Sequence, residues 1–173
     1  MQFFDVIDRR RSIRAFRAAA VERSKLDAVL SAARLAPSAG DLQAYVILLV
    51  ENPDTKSALA EAALGQDFIA DAPLVLVFLA DRRRSEGKYG SRGATLFCLQ
   101  DATIAAAYVQ LAAAAEGLGT CWVGAFDEAR VASAINAPAH LRPVALMPLG
   151  NADEAPARPP RRPLSELTRR ERF

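Results

Sequence analysis

The sequence of 173 residues contains a single histidine, His140, and only two cysteines, Cys98 and Cys121. A Ser–His–Asp triad or a cluster of histidine metal ligands therefore has almost no residues from which to form. The two cysteines lie far apart without the spacing of a metal or redox motif, so we expect both to be reduced and buried. If the chain is an enzyme, a bound cofactor must supply its chemistry, while the protein supplies binding and electrostatics.

Nucleotide-binding loops and long apolar runs are also missing. The chain has no glycine- and lysine-containing phosphate loop. The segment GLGT (117–120) follows a predicted helix and precedes a predicted strand, which is the reverse of the order in a Rossmann loop. The longest apolar stretch, residues 102–115, is too short to span a bilayer. No charged leader precedes an apolar segment, so we expect a cytoplasmic protein without membrane contacts.

Positive and negative charges are nearly balanced, with 22 lysines and arginines, 20 acidic residues and a formal net charge of +2. Domains that bind nucleic acid usually carry a basic patch interleaved with aromatic residues, and this sequence has no such stripe. We therefore expect a small-molecule substrate and no nucleic-acid partner.

Helical and β-type patterns alternate along the chain. A short amphipathic helix opens the sequence, and Ser24 has the character of a cap for a second helix. The pattern then predicts a buried strand over 44–50, a helix opened by Asn52 and Pro53, and a second buried strand over 73–80. A loop over 81–95 leads to a long alanine-rich helix, which Asp101 caps and which ends at Gly117 or Gly119. A short strand over 120–126, a helix capped by Asp127 and a last strand over 142–150 follow. A length of 173 residues predicts one domain, residues 1–173. The proline- and arginine-rich tail predicts an extended arm at 152–173.

The alanine-rich helix is apolar or small on every side. Such a helix is buried all round, and a chain of this length has little room for a fully buried helix of about 25 Å. Packing between two subunits removes this difficulty, and a proline-rich arm that cannot join its own core could wrap the partner. The alternative is a central helix inside a single subunit.

The arginines indicate an anion-binding site. Their four groups lie at residues 9–14, 82–84, 158–162 and 169–172. We expect the second and fourth groups to be solvated charges. In the first group Ser12 lies among the arginines, and Ile13 and Phe16 anchor the segment, so hydroxyl and guanidinium donors suit a phosphate monoester. In the third group the prolines hold the chain extended, which lets Arg161 and Arg162 project at fixed positions.

Five segments resemble motifs of the nitroreductase family of flavin-dependent oxidoreductases, in the family's order. They are RRRSIRAF (9–16), APSAGDLQAYVILLV (36–50), DAPLVLVFLA (71–80), QDATIAAAYVQLAAAAEGLGTCWVGAF (100–126) and RPVALMPLGNADEAPARPPRRPLSEL (142–167). The resemblance implies an α+β nitroreductase-like fold with a mostly antiparallel central sheet, flanking helices, a long interface helix and a C-terminal arm exchanged between subunits. It also implies a homodimer that binds FMN at its subunit interface.

The resemblance also implies which residues contact FMN. They are Arg10, Arg11, Ser12, Arg14, Pro37, Ser38, Ala39, Gln43, Gln66, Val123, Gly124, Arg161 and Arg162. The N-terminal group would contact the phosphate, ribityl and pyrimidine side, and residues 37–39 would reach the flavin from the other subunit. Arg161 and Arg162 would close over the phosphate. Arg14 is the residue expected to stabilise the reduced, anionic flavin electrostatically.

Five positions concern the flavin ring and the substrate. Val123 and Gly124 match the strand that faces the ring, where a backbone N–H can point at N5, and a glycine lets the backbone approach a flat ring closely. Asp41 stands where the family usually has asparagine, and a carboxylate close to the flavin would disfavour its reduced anion. Tyr89 and Phe126 are candidates for substrate contact, although Phe126 also suits the core.

The implied activity is that of an FMN-dependent NAD(P)H oxidoreductase. By resemblance, it would reduce nitroaromatics, quinones or similar acceptors by a ping-pong mechanism, with no side-chain acid or base required. The stretch between the second strand and the interface helix is short, which predicts an open pocket. Two alternatives stay open at this point: a flavin-binding carrier or sensor without turnover, and a structural dimer without flavin.

Overall fold

Eight α-helices and four strands make up the fold, which a computed structural model describes for residues 2–172. The helices are α1 (Phe3–Arg9), α2 (Arg23–Arg34), α3 (Pro53–Ala62), α4 (Phe68–Asp71), α5 (Arg82–Arg92), α6 (Cys98–Ala115), α7 (Glu128–Ala134) and α8 (Leu164–Leu167). The strands are β1 (Tyr45–Val50), β2 (Leu74–Asp81), β3 (Gly119–Thr120) and β4 (Leu141–Gly150).

The strands form one antiparallel sheet in the order β1-β2-β4-β3. Strand β2 lies inside the sheet and is buried along nearly its whole length, as its continuous apolar sequence predicts. The strand predicted over 44–50 is present, but the prediction that it is buried was wrong. Strand β1 lies at the sheet edge, and Val46 and Leu49 are each 40% exposed.

Helices cover both faces of the sheet, which gives the α+β fold that the resemblance implies. Helices α2 and α6 pack on one face through residues such as Val29 and Val109, against Phe78 of β2. Helices α3, α4 and α7 cover the other face, where Leu59 and Val131 pack against the outward side of the same strands. The burial of these apolar side chains is the main source of stability in a fold of this kind.

Helix α6 is central but is not buried on every side within one chain. Its buried face packs on the sheet and on α2, while Thr103, Ala107, Tyr108 and Ala115 are exposed. The continuous helical run Arg82–Ala115 has the length and hydropathy of a membrane-spanning helix, a test that core helices also meet. A second subunit covering the exposed face of α6 stays a prediction.

Two helix boundaries differ from the sequence-based prediction. Residues 81–95 are not a loop, because the Asp81 side chain accepts a hydrogen bond from the Arg84 N–H at 3.0 Å and starts α5 there. The chain then stays helical, interrupted at Gly90 (φ 56°), through a π-helical turn at Gly93–Phe97 that leads directly into α6. Asp101 therefore lies inside α6 and does not cap it. Similarly, α2 begins at Arg23, ahead of the cap predicted at Ser24.

Other local signals are confirmed. Asn52 accepts from the Thr55 N–H at 3.0 Å, and Asp127 accepts from the Arg130 N–H at 3.0 Å, so both cap their helices as predicted. Gly117, at φ 75°, follows α6 as expected for a helix C-terminus. The strand predicted over 120–126 is present only in part, as β3 and a single bridge from Val123 to β4.

An ion pair links α7 to β4 and makes stability depend weakly on pH. Arg142 donates two hydrogen bonds to Glu128, at 2.9 and 2.7 Å, and these bonds lower the pKa of the Glu128 carboxyl. A lowered pKa stabilises the fold above the unfolded pKa and is lost as pH falls through the folded one. Because both side chains are nearly half exposed, we expect Glu128→Gln to reduce the free energy of unfolding at pH 7 by about 0.5 kcal/mol or less. Urea unfolding at pH 7 and pH 3 checks this, and a larger loss at pH 3 would contradict it.

Candidate functional site

The basic segment at residues 9–16 is held against the end of the sheet. Ser12 pairs with Thr120, and the Ile13 N–H donates to the Thr120 carbonyl at 2.9 Å. Ile13 is buried and lies against Gly119, where an added Cβ would lie 2.9 Å from the Ile13 side chain. A glycine is therefore required at position 119 for the segment to pack this closely, and Ile13 anchors the segment as its sequence predicts.

The start of the C-terminal arm runs beside the same segment. The Arg17 N–H donates to the Asn151 carbonyl at 2.9 Å, and the Asp153 N–H donates to the Ala15 carbonyl at 2.9 Å. Glu154 also accepts the Ala15 N–H at 3.2 Å. The basic segment is thus fixed on one side by β3 and on the other by the arm.

Four guanidinium groups converge beside this junction. Burial lowers the pKa of Arg10, and the neighbouring charges of Arg161, Arg11 and Arg158 lower it further. Arg158 is paired with Asp8, the nearby carboxylate. Arg10 and Arg11 also line a cavity of about 370 Å³ beside Gly119. A partly desolvated cluster of like charges stabilises a bound anion, and guanidinium forks match the oxygens of a phosphate.

The other predicted arginines are placed differently from Arg10 and Arg161. Arg11, which follows α1, donates to the Asp8 carbonyl near the end of that helix. Arg162 donates to Glu166 at 3.0 Å within the arm. Arg14 is exposed, with its guanidinium carbon 5.7 Å from the centre of the Phe68 ring.

The ring-facing positions lie on the strand-like segment that follows β3. Val123 is buried and its N–H donates to the Leu146 carbonyl at 2.9 Å, so this N–H is not available to a ligand, and a flavin contact of Val123 through other atoms stays a prediction. Among residues 2–172, the Gly124 N–H has no hydrogen-bond partner, so it is available as a donor to a ligand. An added Cβ on Gly124 would lie 3.1 Å from Trp122 Nε1, so the space beside this backbone is limited.

Two further predicted residues lie near this segment. The Gln66 side chain donates to the Ala63 carbonyl at 2.8 Å and to the Ala125 carbonyl at 3.3 Å, which places it beside the segment. Phe126 packs against the core on the far face of the sheet. This position agrees with core packing for Phe126 and gives its suggested substrate contact no support within the single chain.

The thiols are buried, as their sequence context predicts. Cys98 is 0% and Cys121 1% exposed, and burial raises the pKa of both thiols. The thiolate is the reactive form, so we expect iodoacetamide at pH 7 to leave both cysteines unmodified in the folded protein and to alkylate both in urea. Mass spectrometry of the intact chain checks this. Labelling of Cys121 in the folded protein would contradict the burial.

A second group of predicted residues, 37–43, is held by a carboxylate that the sequence prediction assigned to another role. Asp101 is 2% exposed and accepts the Ala39 N–H at 2.9 Å and the Ala44 N–H at 3.2 Å. The Ser38 hydroxyl oxygen accepts the Gln43 N–H at 2.9 Å. The sequence predicts Asp101 as a helix cap, but a single acid among alanines on the buried side of a helix also indicates a specific partner.

The backbone of residues 37–43 has an unusual conformation, and the Gln43 side chain is already hydrogen-bonded. Gly40, Asp41 and Gln43 all have positive φ, at 55°, 57° and 48°. Asp41 is exposed, and the Gln43 side chain donates to the Arg34 carbonyl at 2.8 Å. A left-handed conformation is costly for residues other than glycine, so the surrounding hydrogen bonds must hold it. The segment is therefore a shaped element, and its shape depends on Asp101.

Helix α5 packs against this segment. Arg84 donates to the Leu42 carbonyl, and Lys88 Nζ lies 3.5 Å from the Gly40 carbonyl oxygen. The Tyr89 hydroxyl lies so close that an added Cβ on Gly40 would be 2.3 Å from it. Tyr89, predicted as a substrate contact, thus belongs with residues 37–43.

The structure separates the predicted site residues into two halves at opposite ends of α6. Asp101, near the first end, holds residues 37–44, while Gly119, just beyond the other end, contacts Ile13. About 21 Å of helix axis separates Asp101 from Ala115. One chain therefore brings Arg10, Ser12 and Arg161 together but keeps residues 37–43 away from them. Within residues 2–172, no three His, Cys, Asp or Glu side chains form a group that could hold a metal ion.

Comparison with known proteins places these features in one family. The sequence pattern of the Nitroreductase family matches residues 7–66 and 60–151. The chain is 36% identical over 169 residues to a protein named NADH dehydrogenase from Thermus thermophilus, covering 82% of each chain.

Two solved structures are similar over the whole fold. NfrA2 of B. megaterium superposes with a TM-score of 0.93 at 28% identity, covering 100% of this chain and 76% of that one. The NADPH:FMN oxidoreductase of Vibrio harveyi in complex with NAD⁺ superposes with a TM-score of 0.91 at 26% identity, covering 99% and 77%.

Proposed function

Because the chain belongs to the nitroreductase family, we propose that it is an FMN-dependent NAD(P)H oxidoreductase that transfers electrons to small aromatic acceptors by a ping-pong mechanism. The observation that carries this proposal is the partly buried Arg10, which lies beside the cavity lined by Gly119 and Thr120 and next to the charge of Arg161. This cluster offers a phosphate site, and the Gly124 N–H, four residues beyond Thr120 along the chain, offers a donor to a flat ring. These groups suit the two ends of an FMN molecule.

The residues present fit FMN. Arg10 is partly buried among other guanidinium groups, and the two acids beside them are already engaged: Asp8 pairs with Arg158, and Glu154 accepts the N–H groups of Arg14 and Ala15. A phosphate dianion placed there would relieve the repulsion among these groups. Ser12 lies beside them as a hydroxyl donor, and Arg14 is free to reach the pyrimidine side.

A homodimer completes the site in this proposal. Residues 37–43 lie too far along α6 to reach the Arg10 cluster of their own chain, and the exposed face of α6 suits a twofold contact. A partner subunit would supply its residues 37–39 and Gln43 to the flavin held by Arg10. The arm at residues 152–173 would wrap the partner, and Arg162 could then exchange Glu166 for the phosphate.

The chain's own residues provide binding and electrostatics. FMN, when bound, supplies the redox chemistry by accepting a hydride from the nicotinamide and passing electrons to the acceptor. Arg10, Arg161 and Ser12 would hold the phosphate, Gly124 would donate its N–H to the ring, and Arg14 would stabilise negative charge on the pyrimidine. No acid or base is needed from a chain with a single histidine.

Stopped-flow mixing of the purified, flavin-loaded protein with NADH and with NADPH tests the proposal. We expect at least one donor to bleach the flavin absorbance, and a nitroaromatic or quinone to restore it. Absence of bleaching by both donors would favour a flavin carrier or sensor. A protein that stays colourless after incubation with FMN and desalting would exclude the flavin site itself.

A further inference from the structure

Helix α5 carries an unusual density of unpaired positive charge. Its eleven residues include five cations, Arg82, Arg83, Arg84, Lys88 and Arg92, and one carboxylate, Glu86. Elsewhere in the chain, six arginines form ion pairs with acidic side chains. Among residues 2–172, none of the five cations of α5 does so. Free cations gathered on one short helix create a local field that attracts anions.

Part of this charge faces the proposed active site. Lys88 lies one helical turn after Arg84, and both side chains contact carbonyl groups of the segment 37–43. In the proposed dimer this segment approaches the flavin of the other subunit. Lys88 and Arg84 therefore lie at the rim of the space that a substrate would enter.

Two aromatic rings pack against cations of α5, and one of the two lines a cavity beside residues 37–39. Tyr89 and Phe97 pack edge to face with their centres 5.1 Å apart. Lys88 Nζ lies 5.4 Å from the centre of the Tyr89 ring, and the Arg92 guanidinium lies 5.3 Å from the centre of the Phe97 ring. Phe97 in turn lines a cavity of about 580 Å³ together with residues 37–39. Arg92 thus lies against the lining residue Phe97, and Lys88 lies beside Gly40, the neighbour of the lining residue Ala39, which places both exposed cations next to the cavity.

We propose that Lys88 and Arg92 of α5 recognise the anionic group of an aromatic substrate entering this cavity. The inference rests on the proposed function and adds the substrate class: a planar aromatic molecule with a carboxylate, sulfonate or phosphate. Aromatic rings bind planar substrates, and the cations select for negative charge. The anion can belong to the electron acceptor or to the phosphates of the nicotinamide donor, and separate kinetic arms distinguish these two sources.

The acceptor arm compares 4-nitrobenzoate with the neutral 4-nitrobenzamide. Steady-state kcat/KM for each is measured in the wild type and in the double variant Lys88→Gln, Arg92→Gln. A unit charge at about 5 Å in a water-like dielectric changes binding about fourfold, so the double variant is expected to lose about tenfold on the benzoate. The benzamide is expected to change little. Raising the salt concentration to 1 M should abolish the difference, because it screens exposed charges.

The donor arm compares NADH with 1-benzyl-1,4-dihydronicotinamide, which carries no phosphate. Flavin bleaching by each donor is followed by stopped flow in the same proteins. A loss confined to NADH assigns the recognised anion to the donor, and a loss confined to 4-nitrobenzoate assigns it to the acceptor. The control is Arg23→Gln, which removes one exposed cation from the remote helix α2 and is expected to leave every ratio unchanged.

Several results would overturn the inference. One is an equal loss for the charged and neutral members of each pair. Another is a double variant whose rate ratios, in both arms, change no more than those of Arg23→Gln. A third is a changed molecular mass of the double variant in sedimentation, which would make these cations subunit contacts.

If the wild type shows no turnover, the proposed function fails separately. Ligand-observed NMR of 4-nitrobenzoate and 4-nitrobenzamide binding then decides the inference, since selective binding of the benzoate must disappear in the double variant.

Discussion

Replacing both Arg10 and Arg161 with alanine is expected to weaken FMN binding by about a hundredfold to ten-thousandfold. Each arginine would contribute a hydrogen bond to a charged phosphate, worth about 1.5–3 kcal/mol, and two such losses give this range. The physical basis is the position of Arg161 as the neighbouring charge with the largest effect on the pKa of Arg10. Titration of FMN fluorescence with the apoprotein measures the change.

The matched control removes two arginines elsewhere. Arg23 and Arg130 each form an exposed ion pair, and their joint replacement by alanine changes the net charge equally. We expect this control to retain the FMN affinity of the wild type. Unchanged affinity in the variant lacking Arg10 and Arg161 would show that the phosphate binds elsewhere.

The second large effect is expected for Asp101→Ala, which should reduce the free energy of unfolding by about 3 kcal/mol. The carboxylate accepts the N–H groups of Ala39 and Ala44, and Ala44 is fully buried, so the substitution leaves polar groups without partners. For a chain of this size the melting temperature should fall by about 6–12 °C. Thermal unfolding followed by circular dichroism measures it.

The appropriate comparison is Asp27→Ala, which removes an exposed carboxylate paired with Arg23. An exposed pair of this kind contributes about 0.5 kcal/mol or less. Equal stability losses in the two variants would contradict a structural role for Asp101. In the flavin-loaded dimer we also expect Asp101→Ala to weaken FMN binding, because residues 37–43 lose the bonds that shape them.

Much of the architecture follows from local sequence signals. Strands β2 and β4 are continuous apolar runs, and Asn52 and Asp127 occupy the cap positions that their neighbours indicate. The sequence predicts a loop at residues 81–95 because this stretch contains three glycines and seven charged residues, whereas the cap at Asp81 and packing on residues 37–43 make residues 82–92 helical as α5. Tertiary contacts override weak helix propensity in this way.

The candidate site is predictable in its chemistry but not in its arrangement. The pattern of Arg10, Ser12 and Ile13 already indicates an anion site with a buried anchor. Positive φ at Asp41 and Gln43 has no sequence signal, since neither is glycine and long-range hydrogen bonds impose the conformation. The separation of the two halves along α6 is also a property of tertiary structure, which residue type alone does not encode.

In the proposed dimer, each FMN site combines the Arg10 cluster of one subunit with residues 37–43 of the other. A mixed dimer tests it most directly. One chain carries Arg10→Ala and Arg161→Ala, and the other carries Ala39→Trp to obstruct the segment, with folding of each verified by circular dichroism. Both parent dimers are expected to bind FMN weakly.

In the mixed dimer, purified through two different affinity tags, one site would contain all the substitutions and the other would contain none. If the site lies at the subunit interface, this dimer is expected to bind one FMN, and NAD(P)H is expected to bleach that FMN at the wild-type rate per site. Failure of the mixed dimer to bind FMN, when the wild-type dimer does, would contradict an interface site.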